Sequence, residues 1–253
     1  MVLGTVVEFD YTGVSDIRHP QKGGRLSVTK NSILILPGLD GTDRMLAEFQ
    51  SMGGDKIAVK VLTLPDDRSL DYHGLAEHFR PVIQAHVGCH VVAQSFSGPN
   101  GILVAHKFPQ CVSRLTLVAS FASSPVSRIA SCLPWSLLFR LRLPSFVEKY
   151  FFVGQATSLI PQLRSAIKQN SPAVLLHRFR ILQKANVLVE LAELECPLDY
   201  VQATHDRLLP RRCLKEIRKV RPDTVVHEIE GPHLILQTQA KLAWRKIVED
   251  TTG

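Results

Sequence analysis

The sequence predicts an α/β protein: a mostly parallel central sheet covered by helices, with a helical cap inserted after the sixth strand. Three observations predict it. Short continuous apolar runs end at Pro or in turn residues, as strands buried on both faces do. Segments with helical apolar spacing alternate with those runs, the arrangement that makes neighbouring strands parallel. Between residues 121 and 187 the alternation stops, and the pattern is helical and punctuated by Pro134, Pro144, Pro161 and Pro172.

Taken in order, Leu3 to Tyr11 and Arg25 to Lys30 read as a strand pair around the turn signal Lys22-Gly-Gly24. Ser32-Ile-Leu-Ile-Leu36 is a buried strand that stops at Pro37-Gly38, and Ala58 to Leu64 is another that ends at Pro65. Ser69 to His86 carries Leu70, Leu75, Phe79, Val82 and Ile83 at helical spacing, with Ser69 as its cap. His90 to Ala93 is a strand, Ile102 to Phe108 lies on a helix, and Arg114 to Ala119 is the sixth strand. After the insertion the alternation resumes with the strand Leu198 to Ala203, a helix from Arg211 to Lys219, the strand Thr224 to Ile229 and a closing helix from Gln237 to Val248. The core is thus expected in residues 1–120 and 188–253, and the cap in 121–187.

The composition excludes several classes. With 45% apolar and 21% charged residues over 253 positions the chain is neither disordered nor fibrous, and no stretch approaches the ~18–20 apolar residues of a membrane span. Glu8 and Asp10 follow the apolar first residues and no basic region precedes them, unlike an export signal. Cys89, Cys111, Cys132, Cys196 and Cys213 are odd in number and scattered, which suits buried apolar residues better than a disulfide framework or a zinc site. A cytoplasmic location is the expectation. The net charge of +7 belongs to one segment: nine Lys and Arg but a single acid, Glu148, lie between Phe121 and Val187, and the rest of the chain is close to balance. No nucleic-acid motif accompanies this charge. Together with Trp135, Tyr150, Phe151 and Phe152 it suits an anionic membrane or an acidic protein, or else a solvated helical face.

The chemistry is carried by Ala93-Gln-Ser-Phe-Ser-Gly98, set between a buried strand and a helix. A serine on a sharp strand-to-helix turn needs small residues two positions before and after it, because the backbone folds back on itself. Ser95 fits, with Ala93 and Ser97 in those places, although neither is the glycine of G-x-S-x-G. Ser97 is a rival nucleophile with a worse neighbourhood, since Pro99 would stand two positions after it. Gly38 and Gly41 let Leu36-Pro-Gly-Leu-Asp-Gly-Thr42 turn, so the N–H of Leu39 is a candidate to join that of Phe96 in holding an oxyanion. A phosphate loop is the other reading of these glycines, but no Lys-Ser/Thr follows Gly41 and G-x-G-x-x-G is absent. Asp206 lies just past one late strand and His233 just past the last. The order Ser95, Asp206, His233 is nucleophile, acid, base.

On these residues the chain resembles the α/β-hydrolases, and the loops Leu36–Thr42 and Gln94–Pro99 are similar to those of a bacterial esterase-like branch. The resemblance covers Ser32 to about Val248. Pro37 replaces a family histidine, and Asp43 stands where close relatives often have glycine. The resemblance implies a lid after the sixth strand, a Ser95–His233–Asp206 triad, and no metal or organic cofactor. It also implies a carboxylic ester substrate. The basic cap resembles what docking of an acidic acyl carrier protein needs, as in pimeloyl-carrier-protein methyl ester esterases; an anionic lipid surface is the other partner considered. Thioester hydrolysis, acyl transfer, and the lyase and peroxidase chemistries of this fold use the same residues.

Overall fold

The computed structural model describes residues 32–126 and 145–249. Among them six strands form one sheet: β1 Ser32–Leu36, β2 Ala58–Val61, β3 Cys89–Gln94, β4 Val112–Val118, β5 Leu198–Ala203 and β6 Val225–Ile229. Their order is β2-β1-β3-β4-β5-β6, and every neighbouring pair is parallel. The strand pair expected before Lys30 lies outside the described residues. The insertion therefore follows the fourth described strand, the one the sequence reading counts as sixth.

Helices α1 Ala47–Ser51, α2 Tyr72–His78, α3 Arg80–Ala85 and α4 Gly98–Lys107 lie between the first four strands. Between β4 and β5 come α5 Ser145–Glu148, α6 Ile160–Lys168, α7 Pro172–Gln183 and α8 Leu188–Ala192. Then follow α9 Arg212–Val220, α10 Ile235–Thr238 and α11 Ala240–Trp244. Side chains alternate across β1, so the sheet supplies two cores. Ile33 and Ile35 join Val92, Val118 and Val201 under Phe49 of α1 and Trp244 of α11. Leu34 and Leu36 join Val91, Leu115 and Leu117 on the face that α2, α3, α4, α8 and α9 cover. Full burial of one such side chain stabilises by ~1.5–3 kcal/mol, so a polar residue at any of these positions would be severe.

Most elements start and stop within a few residues of the expectation. The helix expected over 69–86 is two helices, because Pro81 has no N–H to return to the Glu77 carbonyl. Asp71, not Ser69, caps the first, accepting the Gly74 N–H at 2.9 Å. The closing helix is likewise divided, with α10 before α11 and a π-helical turn at Arg245–Glu249 after it. Backbone bonds from Val187 N–H to the Ala122 carbonyl, 2.9 Å, and from Ser124 N–H to the Ala185 carbonyl, 2.8 Å, bring together the two ends of the inserted segment.

The order of strands places the site. From β1 the chain steps to β2 on one side, and β3 pairs with β1 on the other, so the C-terminal ends of β1 and β3 flank the point where the winding reverses. Open parallel sheets hold ligands at that crevice.

Candidate active site

Ser95 follows β3 directly and opens a 3₁₀ turn, Ser95–Ser97, that runs into α4. Its φ is +51°, a left-handed conformation that costs a residue with a Cβ ~1–2 kcal/mol. Close packing enforces the turn. A Cβ on Gly98 would lie 1.8 Å from the Ser120 Oγ, and one on Gly101 2.6 Å from the Ala93 Cβ. The small residues at 93 and 98 are therefore demanded by the approach of α4 to β3 and to the end of β4. Ser120 Oγ donates to the Ser95 carbonyl at 2.6 Å, and Tyr72 Oη donates to the Phe96 carbonyl at 2.9 Å.

His233 and Asp206 are brought to the same edge because both follow strand ends, His233 after β6 and Asp206 after β5. Ser95 Oγ lies 2.8 Å from His233 Nε2, and His233 Nδ1 lies 2.8 Å from Asp206 Oδ2. An ionised carboxylate can only accept, so Nδ1 carries the proton and Nε2 is left to accept from the serine hydroxyl. The side chains of His233 and Asp206 are each 2% exposed. Burial by itself would raise the Asp206 carboxyl. The electrostatic attraction and hydrogen bond of the His233 ring, with the Leu209 and Leu208 N–H groups at 3.0 and 2.8 Å, outweigh it and hold the carboxyl below its ordinary range.

The loop after β1 lies beside this turn, since Leu36 is in register with Ala93. A turn closes it, Gly41 N–H to the Gly38 carbonyl at 2.9 Å, with Gly41 at φ +70°. Leu39 sits in this loop and Phe96 directly follows Ser95, so the two candidate oxyanion donors come from adjacent strand ends. Ser97, the rival nucleophile, is fully buried and donates to the Pro37 carbonyl at 2.5 Å. It ties the two loops together and does not face His233.

Several residues at the site carry no motif. Gln94 and Gln237 exchange two side-chain hydrogen bonds, at 2.9 and 3.0 Å, linking the residue before Ser95 to α10. Phe152, in the π-helical turn Lys149–Val153, accepts the Leu234 N–H on its carbonyl at 3.1 Å and sets its ring edge-on to His233, 6.5 Å between centroids. Arg207, next to Asp206, stacks on Tyr150 at 4.0 Å. Part of the inserted segment thus sits on the loops that carry Asp206 and His233.

Arg178 departs from its expected place among the surface charges of the cap. It is 4% exposed, and its guanidinium is enclosed by backbone and side-chain oxygens. One signal was available: in α7 the buried residues are Val174, Leu175, Arg178 and Phe179, so the arginine occupies a position on the apolar stripe. Glu148, the segment's one acid, is also buried and takes up Arg164, with contacts of 2.7–3.0 Å. Lys149, Lys168, Arg180 and Lys184 remain exposed; Arg128, Arg140 and Arg142 lie outside the described residues.

Among the described residues no group of three or more His, Cys, Asp and Glu side chains is gathered to hold a metal, and no helix is long and apolar enough to cross a membrane. Cys89, Cys196 and Cys213 are buried free thiols, and burial pushes the Cys89 thiol up to about 12.

No family model and no curated protein sequence matches the chain. Solved structures do. A hydrolase from Oleispira antarctica superposes with a TM-score of 0.76 at 13% identity, over 88% of this chain and 91% of that one. The enol-lactonase from Burkholderia xenovorans gives 0.74 at 14%, over 92% and 94%. A carboxylesterase structure from Nitrososphaera gargenis gives 0.74 at 12%, over 89% and 91%. Similarity at this level of identity concerns the fold. The chain has the α/β-hydrolase fold.

Proposed function

We propose that this protein is a serine hydrolase that cleaves carboxylic esters through an acyl-enzyme. The observation that carries the reading is the unbroken relay from Ser95 Oγ through His233 to Asp206, with both hydrogen bonds at 2.8 Å. Ser95 Oγ attacks the ester carbonyl while His233 Nε2 takes its proton. The alcohol leaves with that proton, and water, deprotonated by the same imidazole, releases the acid and restores Ser95. Asp206 stays ionised and fixes the imidazole with Nε2 free to accept. The N–H groups of Leu39 and Phe96 receive the carbonyl oxygen as it gains charge, helped by the N-terminus of α4. That some proteins sharing this fold are described as a carboxylesterase and an enol-lactonase is consistent with carbonyl–oxygen cleavage.

The test is hydrolysis of p-nitrophenyl esters from acetate to laurate by wild type and Ser95→Ala, with labelling by a serine-directed phosphonate. Turnover and labelling that both vanish in Ser95→Ala are the expected result, and the preferred chain length then sizes the acyl pocket. Turnover that survives in Ser95→Ala but not in Ser97→Ala would overturn the assignment.

The exposed cap residues Phe146, Tyr150, Lys149, Lys168, Arg180 and Lys184 favour a second, narrower reading, in which the ester is presented by an acidic acyl carrier protein. Reversing Lys168, Arg180 and Lys184 to Glu then lowers kcat/KM for a carrier-bound ester and spares a small soluble one. Equal loss on both would sink the carrier reading, and loss only on anionic vesicles would replace it with a lipid surface.

A further inference from the structure

We infer that Arg178, supplied by the inserted segment, is a positioning residue that holds the oxyanion loop in its working shape. The inference rests on the esterase reading above and extends it to a residue that never touches substrate.

The guanidinium reaches two stretches of core backbone at once. Its Nη1 donates to the carbonyls of Leu39 and Asp40, both at 3.0 Å, and to Asn170 Oδ1 at 2.7 Å. Its Nη2 donates to the carbonyls of Leu64 and Pro65, both at 3.3 Å, and approaches Asp66 Oδ1 at 3.4 Å. Asn170 then closes the ring by donating from Nδ2 to the Asp40 carbonyl at 2.7 Å. Leu64 N–H returns to the Gly41 carbonyl at 2.9 Å, so the loop and the segment after β2 are held to each other as well as to the arginine.

Such burial of a charge needs a reason, because desolvation is costly and draws the guanidinium below its ordinary value, with Asp66 and Asp40 opposing. A surface arginine would gain more from water. What the enclosure accomplishes is geometric. Peptide planes 39–40 and 40–41 both turn their oxygens toward one fixed cation, and this sets the rotation of the adjoining Gly38–Leu39 plane, whose N–H is the proposed oxyanion donor. Glycine is required at 41 for the same reason: its φ is +70°, and a Cβ there would lie 2.6 Å from Arg178 Nη1. Asp40 is bound into the same ring, with its carboxylate accepting the Thr42 N–H at 3.1 Å and hydroxyl at 2.7 Å. The cap and the oxyanion loop are therefore one mechanical unit at α7, and α7 cannot lift away without freeing the loop.

The experiment compares wild type with Arg178→Met, Arg178→Lys and Asn170→Ala. It reads kcat, KM, the affinity of an aryl trifluoromethyl ketone that mimics the oxyanion, and amide exchange across residues 38–43. In Arg178→Met, kcat should fall ~10–100-fold, part of the 10²–10³ that losing an oxyanion donor costs. KM should stay within about threefold, and inhibitor affinity should fall by the same factor as kcat. Exchange should rise at 39–42, and Arg178→Lys should recover part of each effect. Asn170→Ala, a milder cut in the same ring, should move all readouts in the same direction and serves if Arg178→Met does not fold. Unchanged exchange at 39–42 in folded variants would overturn the clamp, and so would loss of kcat with unaltered inhibitor affinity. Wild type that turns over no ester would overturn the esterase reading instead, and exchange alone would then decide whether Arg178 anchors the loop.

Discussion

Replacing Ser95 by glycine should give a more stable protein than replacing it by alanine. Both substitutions remove the hydroxyl and its 2.8 Å bond to His233, so that loss cancels in the comparison. What differs is the Cβ at a backbone φ of +51°. Alanine keeps the left-handed penalty of ~1–2 kcal/mol, and glycine relieves it. Glycine in turn loses ~0.5–1 kcal/mol more chain entropy on folding. The difference favours Ser95→Gly by roughly 0.5–1 kcal/mol. Urea unfolding at neutral pH resolves this: with a slope of about 2–3 kcal/mol/M the midpoints should differ by about 0.2–0.5 M, glycine higher. Equal midpoints, or alanine the higher, would refute the claim that the turn stores strain at Ser95. Activity should be absent from both variants, so the comparison isolates the strain from the chemistry.

Gly98→Ala should destabilise by about 2–4 kcal/mol in thermal and urea unfolding, because the new methyl meets Ser120 Oγ at 1.8 Å and displaces its bond to the Ser95 carbonyl. Asp206→Asn should lower kcat by about 10³–10⁴ with the protein folded, since an amide facing Nδ1 favours the tautomer with the proton on Nε2, which cannot accept from Ser95. His90, bonded through Nε2 to Thr116 Oγ1 at 2.7 Å, is pushed down to about 3 by burial and by the Arg114 charge. Between pH 6.5 and about 3 the unfolded chain binds a proton that the folded chain refuses, so stability falls as the pH falls through that window. The loss is on the order of 5 kcal/mol, and His90→Gln should remove it from a pH series of urea midpoints.

The strands Ser32–Leu36 and Leu198–Ala203 stand where the sequence puts them: β1 is a buried, almost wholly apolar run, and β5 is nearly as buried although it holds Asp199, whose carboxylate takes up Arg114 at 2.6 Å. The split at Phe79–Arg80 was less plain, since apolar spacing runs through it and only Pro81 interrupts the backbone ladder. Ser95 could be told from Ser97 by the size of the residues two positions away. The packing of Gly101 on Ala93 and the burial of Ser97 against Pro37 give that rule its physical content.

Chain order carried as far as it did because a parallel sheet delivers every strand's C-terminus to one edge. Ser95, Asp206 and His233 each follow a strand end, at β3, β5 and β6, so locating the strands already gathers the three side chains from distant parts of the chain. No such rule gathers Gln94 with Gln237, or Arg178 with Leu39. Those pairs join elements whose relative position depends on packing, and a residue type alone does not disclose its partner. Arg178 left one trace, its place on the buried stripe of α7 beside Val174, Leu175 and Phe179. A helix that puts a guanidinium on its apolar face has to find acceptors inside the protein, and the acceptors available in quantity there are backbone carbonyls of irregular loops. A charged residue in a stripe position is thus a pointer to a loop that needs holding, and here that loop is the one after β1, which lies beside Ser95.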